Sequence, residues 1–151
     1  MTIPYAFAIV ATILWPWHSD ITRERVWHAG CPAIASGLSL IAAAYLDNPV
    51  LVAVALIICV MGQAAFTPVF WTLPTSFLTG SAAAGGIAFI NSVGGLGGFV
   101  GPYIIGWIKD ATGEITLGLV VLAIGPIMSG IVIFLMGHDS KMEMIGSHKT
   151  P

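Results

Sequence analysis

Over residues 29–137 the chain carries only four charged side chains, Asp47, Lys109, Asp110 and Glu114, and they fall at two narrow breaks. Everything between those breaks is apolar, small or uncharged. An ordinary soluble domain is about 25% charged; this chain is 8% charged and 57% hydrophobic, with a mean hydropathy of +0.95. Five Lys and Arg with seven Asp and Glu cannot cover a water-facing globule of 151 residues. The solvent of this chain is therefore lipid. In lipid the backbone must satisfy its own hydrogen bonds, and long apolar runs do so as helices. The expected class is all-α, an integral membrane bundle.

A crossing helix needs about 20 mostly apolar residues. Five runs qualify or nearly do: 3–17, 29–46, 49–71, 82–108 and 115–137. The first is short, and a signal peptide is the other reading of it. A signal, however, places basic residues before its apolar core; here Arg23 and Arg25 come after, and Trp15, Pro16 and Trp17 close the run. Short breaks make consecutive spans antiparallel neighbours. One side then receives Arg23, Arg25, Lys141 and Lys149, and the other only Lys109, so the positive-inside rule puts the 18–28 loop and the C-terminus in the cytoplasm. Trp15, Trp17, Trp27 and Trp107 fall near span ends, where an aromatic belt belongs. The division is a transmembrane bundle over 1–137 and a polar cytoplasmic tail over 138–151, expected to be disordered.

Several chemistries drop out at this stage. A net charge of −2 leaves no basic surface for nucleic acid. Cys31 and Cys59 lie in apolar runs without a CxxC pattern and read as small buried hydrophobes. His138 and His148, ten residues apart in the tail, lack the spacing of a metal pair. Asp20 and Glu24 stand near His18 and His28, but no nucleophile, metal motif or buried acid pair accompanies them, so no enzyme, metal or cofactor is expected.

The stretch INSVGGLGGFVGP, residues 90–102, places five glycines inside the fourth span. Helices in lipid associate through close backbone approach, which small residues permit. Gly94 with Gly98, and Gly97 with Gly101, form two overlapping GxxxG pairs. Ala84, Ala88, Asn91, Gly95 and Gly98 continue the small-residue stripe. These glycines are read as a packing face, either static or one that slides during a conformational cycle. A phosphate-cradling GxGxxG fails, because Val100 stands where its last glycine belongs.

Asn91, an amide in mid-span, must either hydrogen-bond another helix or face a wet cavity. Gln63, in the preceding span, poses the same choice. That span ends FTPVFWTLPTSFLTG, where Pro68 and Pro74 each remove a helical hydrogen bond, so a kink with freed carbonyls is expected over 67–75. Phe70, Trp71 and Thr72 sit there, placed equally well for a ligand path or for the interfacial belt.

The hairpin WPWHSDITRERVWH, the span ending PVFWTLP and the span INSVGGLGGFVGPYIIGWIKDATG occur in that order. Together they resemble the C-terminal half of a major facilitator superfamily transporter, in the anion:cation symporter group that carries tartrate, phthalate, hydroxyphenylacetate and sugar acids. Asn91, Ser92, Gly97, Gly98, Gly101, Pro102, Gly106, Asp110, Thr112 and Gly113 match in register. The resemblance implies that the five spans correspond to helices eight to twelve of twelve, that the chain is a truncated carrier, and that it lies in a bacterial inner membrane. It further implies that helices ten and eleven face the central cavity, which makes Trp71 and Asn91 the leading substrate-pathway residues, with Gln63, Phe70 and Thr72 beside them.

The match has departures. Pro16, Trp17, Ile21, Arg23 and Val26 replace the Gly, Arg, Arg, Gly and Arg usual in the family's loop, while Asp20 and Arg25 of its gate latch remain. Gly95 stands where a second Asn is common. No span core holds a charge, and proton-coupled symport of an organic anion needs an intramembrane carboxylate and a balancing cation. The resemblance assigns those to an N-terminal bundle, the expected partner besides the bilayer and the organic anion, without which the chain is expected to be inactive. A second reading is a small membrane protein whose small-residue faces bind another membrane protein or a second copy.

Overall fold

The computed structural model describes residues 2–136. They form five helices, α1 (Thr2–Thr22), α2 (Arg25–Tyr45), α3 (Pro49–Phe77), α4 (Gly80–Thr112) and α5 (Thr116–Met136), as the all-α reading requires. Four of them, α2 to α5, are long and apolar enough to cross a membrane. The first helix is not in that set, because His18, Ser19, Asp20 and Thr22 occupy its last turns. The tail and its expected disorder lie outside the described residues.

The helices run past the apolar runs that announce them. Hydropathy marks the stretch that tolerates lipid, whereas a helix continues until its backbone is interrupted. Much of the 18–28 loop is accordingly helical: α1 continues to Thr22, and the chain reverses at Arg23, with φ of 54°, and Glu24. Asn48 starts α3 by accepting the amides of Val50 (2.9 Å) and Leu51 (3.4 Å), with Pro49 in the first turn where no amide is missed. Gly113 ends α4 at φ of 77°, its N–H donating to the Lys109 carbonyl at 2.8 Å. Between these ends α3 stays helical through Pro68 and Pro74, and α4 through Pro102 and all its glycines.

The second helix is the centre of the bundle. It packs against α3 on one side and α5 on the other; α1 lies on α3, and α4 touches the rest mainly through a thin contact with α5. Ala29, Val69 and Ile133 form the buried core, with Val26, Phe66, Phe70 and Leu73 around it. The closest approaches are at glycines. A Cβ on Gly62 would come within 2.6 Å of the Pro32 carbonyl oxygen, and one on Gly130 within 2.8 Å of the Gly30 carbonyl oxygen. Gly37 meets the Ala123 carbonyl in the same way, at 2.9 Å. Ser36 is fully buried beside Gly62, its Oγ 3.4 Å from Cys59 Sγ. Cys59 is half-buried, while Cys31, expected inside, is exposed on α2, because the helix turns its small residues inward and lipid accepts a thiol as readily as the core does.

Candidate functional site

Proline makes two of the contacts that build the site. Pro68 has no N–H for the Ala64 carbonyl one turn back, and Pro32 has none for that of His28. Both orphaned carbonyls are taken up by α1. Thr12 Oγ1 lies 3.3 Å from the Ala64 oxygen, and Trp15 Nε1 donates to the His28 oxygen at 2.8 Å. The carbonyls freed by Pro68 and Pro32, both outside the 67–75 stretch where freed carbonyls are expected, thus serve as acceptors that hold α1 onto its neighbours.

Where α1 meets α3 a groove of about 510 Å³ opens, lined by Tyr5, Ala8, Ile9, Thr12, Val60, Gln63, Ala64 and Thr67. Tyr5, Ala8, Ile9 and Thr12 follow the three- and four-residue spacing of one helical face, as do Val60, Gln63, Ala64 and Thr67. The groove is mostly apolar with a few polar groups, and none of its lining residues is charged. Thr12 Oγ1 also lies 2.9 Å from the Ala8 carbonyl, and Thr67 Oγ1 donates to that of Gln63 at 2.9 Å. Those hydroxyls spend their protons on the backbone and keep lone pairs for a guest. The Gln63 amide is exposed and has no partner among the described residues, so it adds two N–H donors and an acceptor.

Of the residues singled out from sequence, Gln63 lines this groove, and Trp71 continues its α3 face, four residues beyond Thr67 and seven beyond Ala64. Phe70 packs against the buried core and meets two rings, that of Phe66 tilted at a centroid distance of 5.2 Å and that of Trp71 edge-on at 5.5 Å. Thr72 is half-buried, and its Oγ1 donates to the Val69 carbonyl at 2.7 Å. Asn91 is exposed on α4 with no side-chain partner among the described residues, and it touches none of the groove. Around it Gly94, Gly95, Gly97 and Gly98 have nothing within 4 Å of where a Cβ would stand; Gly101 alone of the stretch approaches α5, at 3.3 Å from Leu122. Asp20 and Arg25 face each other across the α1–α2 turn at 3.9 Å, Asp20 exposed and Arg25 half-buried. Tyr5, Thr12 and Thr67 were not picked out from sequence. The signal for Thr12 was present: it is the one hydroxyl in the middle of the first apolar run.

Comparison with curated proteins finds relatives of this chain. The chain is 50% identical over 107 residues to the "Putative tartrate transporter" of Agrobacterium vitis, a match over 70% of this chain and 23% of that protein. It is 41% identical over 105 residues to the "Quinolone resistance transporter" of Acinetobacter baumannii, and 42% identical over 102 residues to the "Inner membrane transport protein RhmT" of Escherichia coli K12. The chain is related to the major facilitator transporters. It spans about a quarter of the length of these relatives, 23–24%. No family profile matches it, and no solved structure does. With its four apolar helices, it is an integral membrane protein.

Proposed function

We propose that this chain supplies one wall of the translocation pathway of a secondary carrier for small organic anions, tartrate-like, aromatic or sugar acids, moved by proton symport in a bacterial inner membrane. The observation that carries the reading is the α1–α3 groove: hydroxyls and an unpartnered amide gathered between apolar helices, on the face that continues to Trp71. Polar groups are retained inside a bilayer where they serve a pathway or a partner. Kinship with proteins named as transporters supports transport over catalysis.

In this reading Gln63, Trp71 and Asn91 contact the uncharged part of the substrate, and Phe70 and Thr72 set the position of Trp71. The carboxylate and the cation that balance a proton and an anion come from a second helical bundle, against which α4 packs through Gly94, Gly97, Gly98 and Gly101. Alternating access requires two bundles that rock against each other, so the chain by itself does not transport.

The test is uptake of labelled tartrate and aromatic acids by membrane vesicles holding this chain alone, and then together with an N-terminal bundle from a relative, with and without an imposed pH gradient. Uptake appears only with both, requires the gradient, and falls at least tenfold in Gln63→Leu, Trp71→Ala and Asn91→Ala, about 1.4 kcal/mol in transition-state terms. Uptake by the chain alone, or uptake indifferent to all three substitutions, overturns the proposal.

A further inference from the structure

The α1–α2 hairpin holds a second cluster, separate from the groove. His18 Nδ1 and His28 Nε2 lie 2.7 Å apart, their rings tilted 43° with centroids at 5.0 Å. At that distance one nitrogen carries a hydrogen and the other offers a lone pair. The rest of the cluster says which. His28 is 9% exposed, and its other ring nitrogen, Nδ1, is buried with no hydrogen-bond partner. A bare lone pair is tolerable there, whereas an N–H without an acceptor is not. His28 therefore keeps its hydrogen on Nε2 and donates it to His18 Nδ1. His18, exposed, keeps its own on Nε2, toward solvent.

This arrangement has no room for another proton. A proton on His18 Nδ1 sets two N–H groups against each other at 2.7 Å, unless His28 moves its hydrogen to the buried Nδ1; a proton on His28 must enter Nδ1 directly. Trp15, tilted beside His28 with centroids at 5.4 Å, favours a cation through its ring, but it offers no acceptor to that N–H. The other charged groups nearby are Asp20, Arg23, Glu24 and Arg25, all on the hairpin itself. Helices α3 and α5, which pack against α1 and α2, carry no Asp, Glu, Lys, Arg or His.

We propose that His18 and His28 form a proton-binding clasp between the end of α1 and the start of α2, closed when both rings are neutral and released when a further proton enters. Imidazole is the side chain that ordinarily changes charge between about pH 5 and 8. Two other fasteners span the same hairpin without titrating there: Trp15 Nε1 on the His28 carbonyl, and Ser19 Oγ donating to the Glu24 carbonyl at 3.0 Å. Protonation thus loosens the hairpin while these hold it in place. The clasp does not depend on the transport reading, since it is made wholly within the chain.

The experiment is 15N NMR of the full chain in lipid nanodiscs, labelled at histidine, with H138Q and H148Q leaving only the pair. At the alkaline end of a pH series both rings carry hydrogen on Nε2, and a scalar coupling across the hydrogen bond joins His28 Nε2 to His18 Nδ1; at the acid end, with a further proton bound, that coupling is lost. H18Q, whose amide oxygen can accept from His28 Nε2–H, keeps the fold and leaves the His28 tautomer unchanged, so a folding defect is told apart from a broken clasp. Hydrogen on His28 Nδ1 at the higher pH, or a coupling that survives at the lower, overturns the proposal.

Discussion

Two sets of glycines in this molecule look alike on paper and behave in opposite ways. Those of α4 are dense and spaced as GxxxG, yet Gly94, Gly95, Gly97 and Gly98 face open space, and no residue of that helix is buried. Three at the α2 interfaces are scattered singly through three helices and sit against backbone: Gly62 at Pro32, Gly37 at Ala123, Gly130 at Gly30. A glycine motif says that a helix is able to come close to a neighbour; it does not say that the neighbour is in the same chain. The isolated glycines lack a motif because each answers to one crossing point.

Substitution at the close contacts sharpens that contrast most. Gly62→Ala drives a methyl into a carbonyl oxygen of the adjacent helix, which cannot yield as the end of a side chain can. Overpacking of this kind costs about 1–3 kcal/mol. Unfolding in mixed micelles is expected to show that loss for Gly62→Ala. Gly130→Ala should lose somewhat less, since the Ile34 side chain supplies part of its contact. An unaffected Gly62→Ala would mean that α2 and α3 are not held where the contact puts them, and the comparison would fail at its tight end.

The helix starts repeat the difference on a smaller scale. Asn48 accepts two amides at the head of α3, whereas Thr79 makes no capping bond at the head of α4. Asn48→Ala is expected to cost about 1 kcal/mol, with Thr79→Ala nearly silent in the same unfolding measurement. Asp20→Asn comes lower still. Its pairing with Arg25 is long, at 3.9 Å, and reached by solvent, so it belongs at the low end of the about 0.2–1 kcal/mol that surface pairs contribute.

Sequence reading reached the helices because absence of charge over a bilayer's thickness is a strong physical constraint, and it missed their ends because the constraint lapses where lipid stops. The polarity of His18 to Thr22 suggests a loop, yet nothing in them interrupts a helix. The site was legible in part. Gln63 was visible as a lone amide in a span, but the groove is made by two helices far apart in the chain, so Tyr5, Thr12 and Thr67 had no reason to be grouped before α1 was seen on α3. A proline is legible in sequence as a donor missing from the ladder. What could not be read was the taker: that a hydroxyl and an indole of α1 would accept the roles left open at Ala64 and His28.

The smallest expected effect tests the open end of the comparison. A Cβ on Gly98 points into space clear of any atom within 4 Å, so Gly98→Ala should change the stability of the chain alone by no more than about 0.5 kcal/mol. The exchange of glycine for the better helix former makes a slight gain the expected sign. With a second bundle present the same methyl stands in the way of close approach, and the bulkier Gly98→Leu more so, so complemented uptake should fall in that order while the fold of the chain is untouched. A chain destabilised by Gly98→Ala on its own would show instead that α4 already packs within this bundle, and the α4 face would lose its claim to an outside partner.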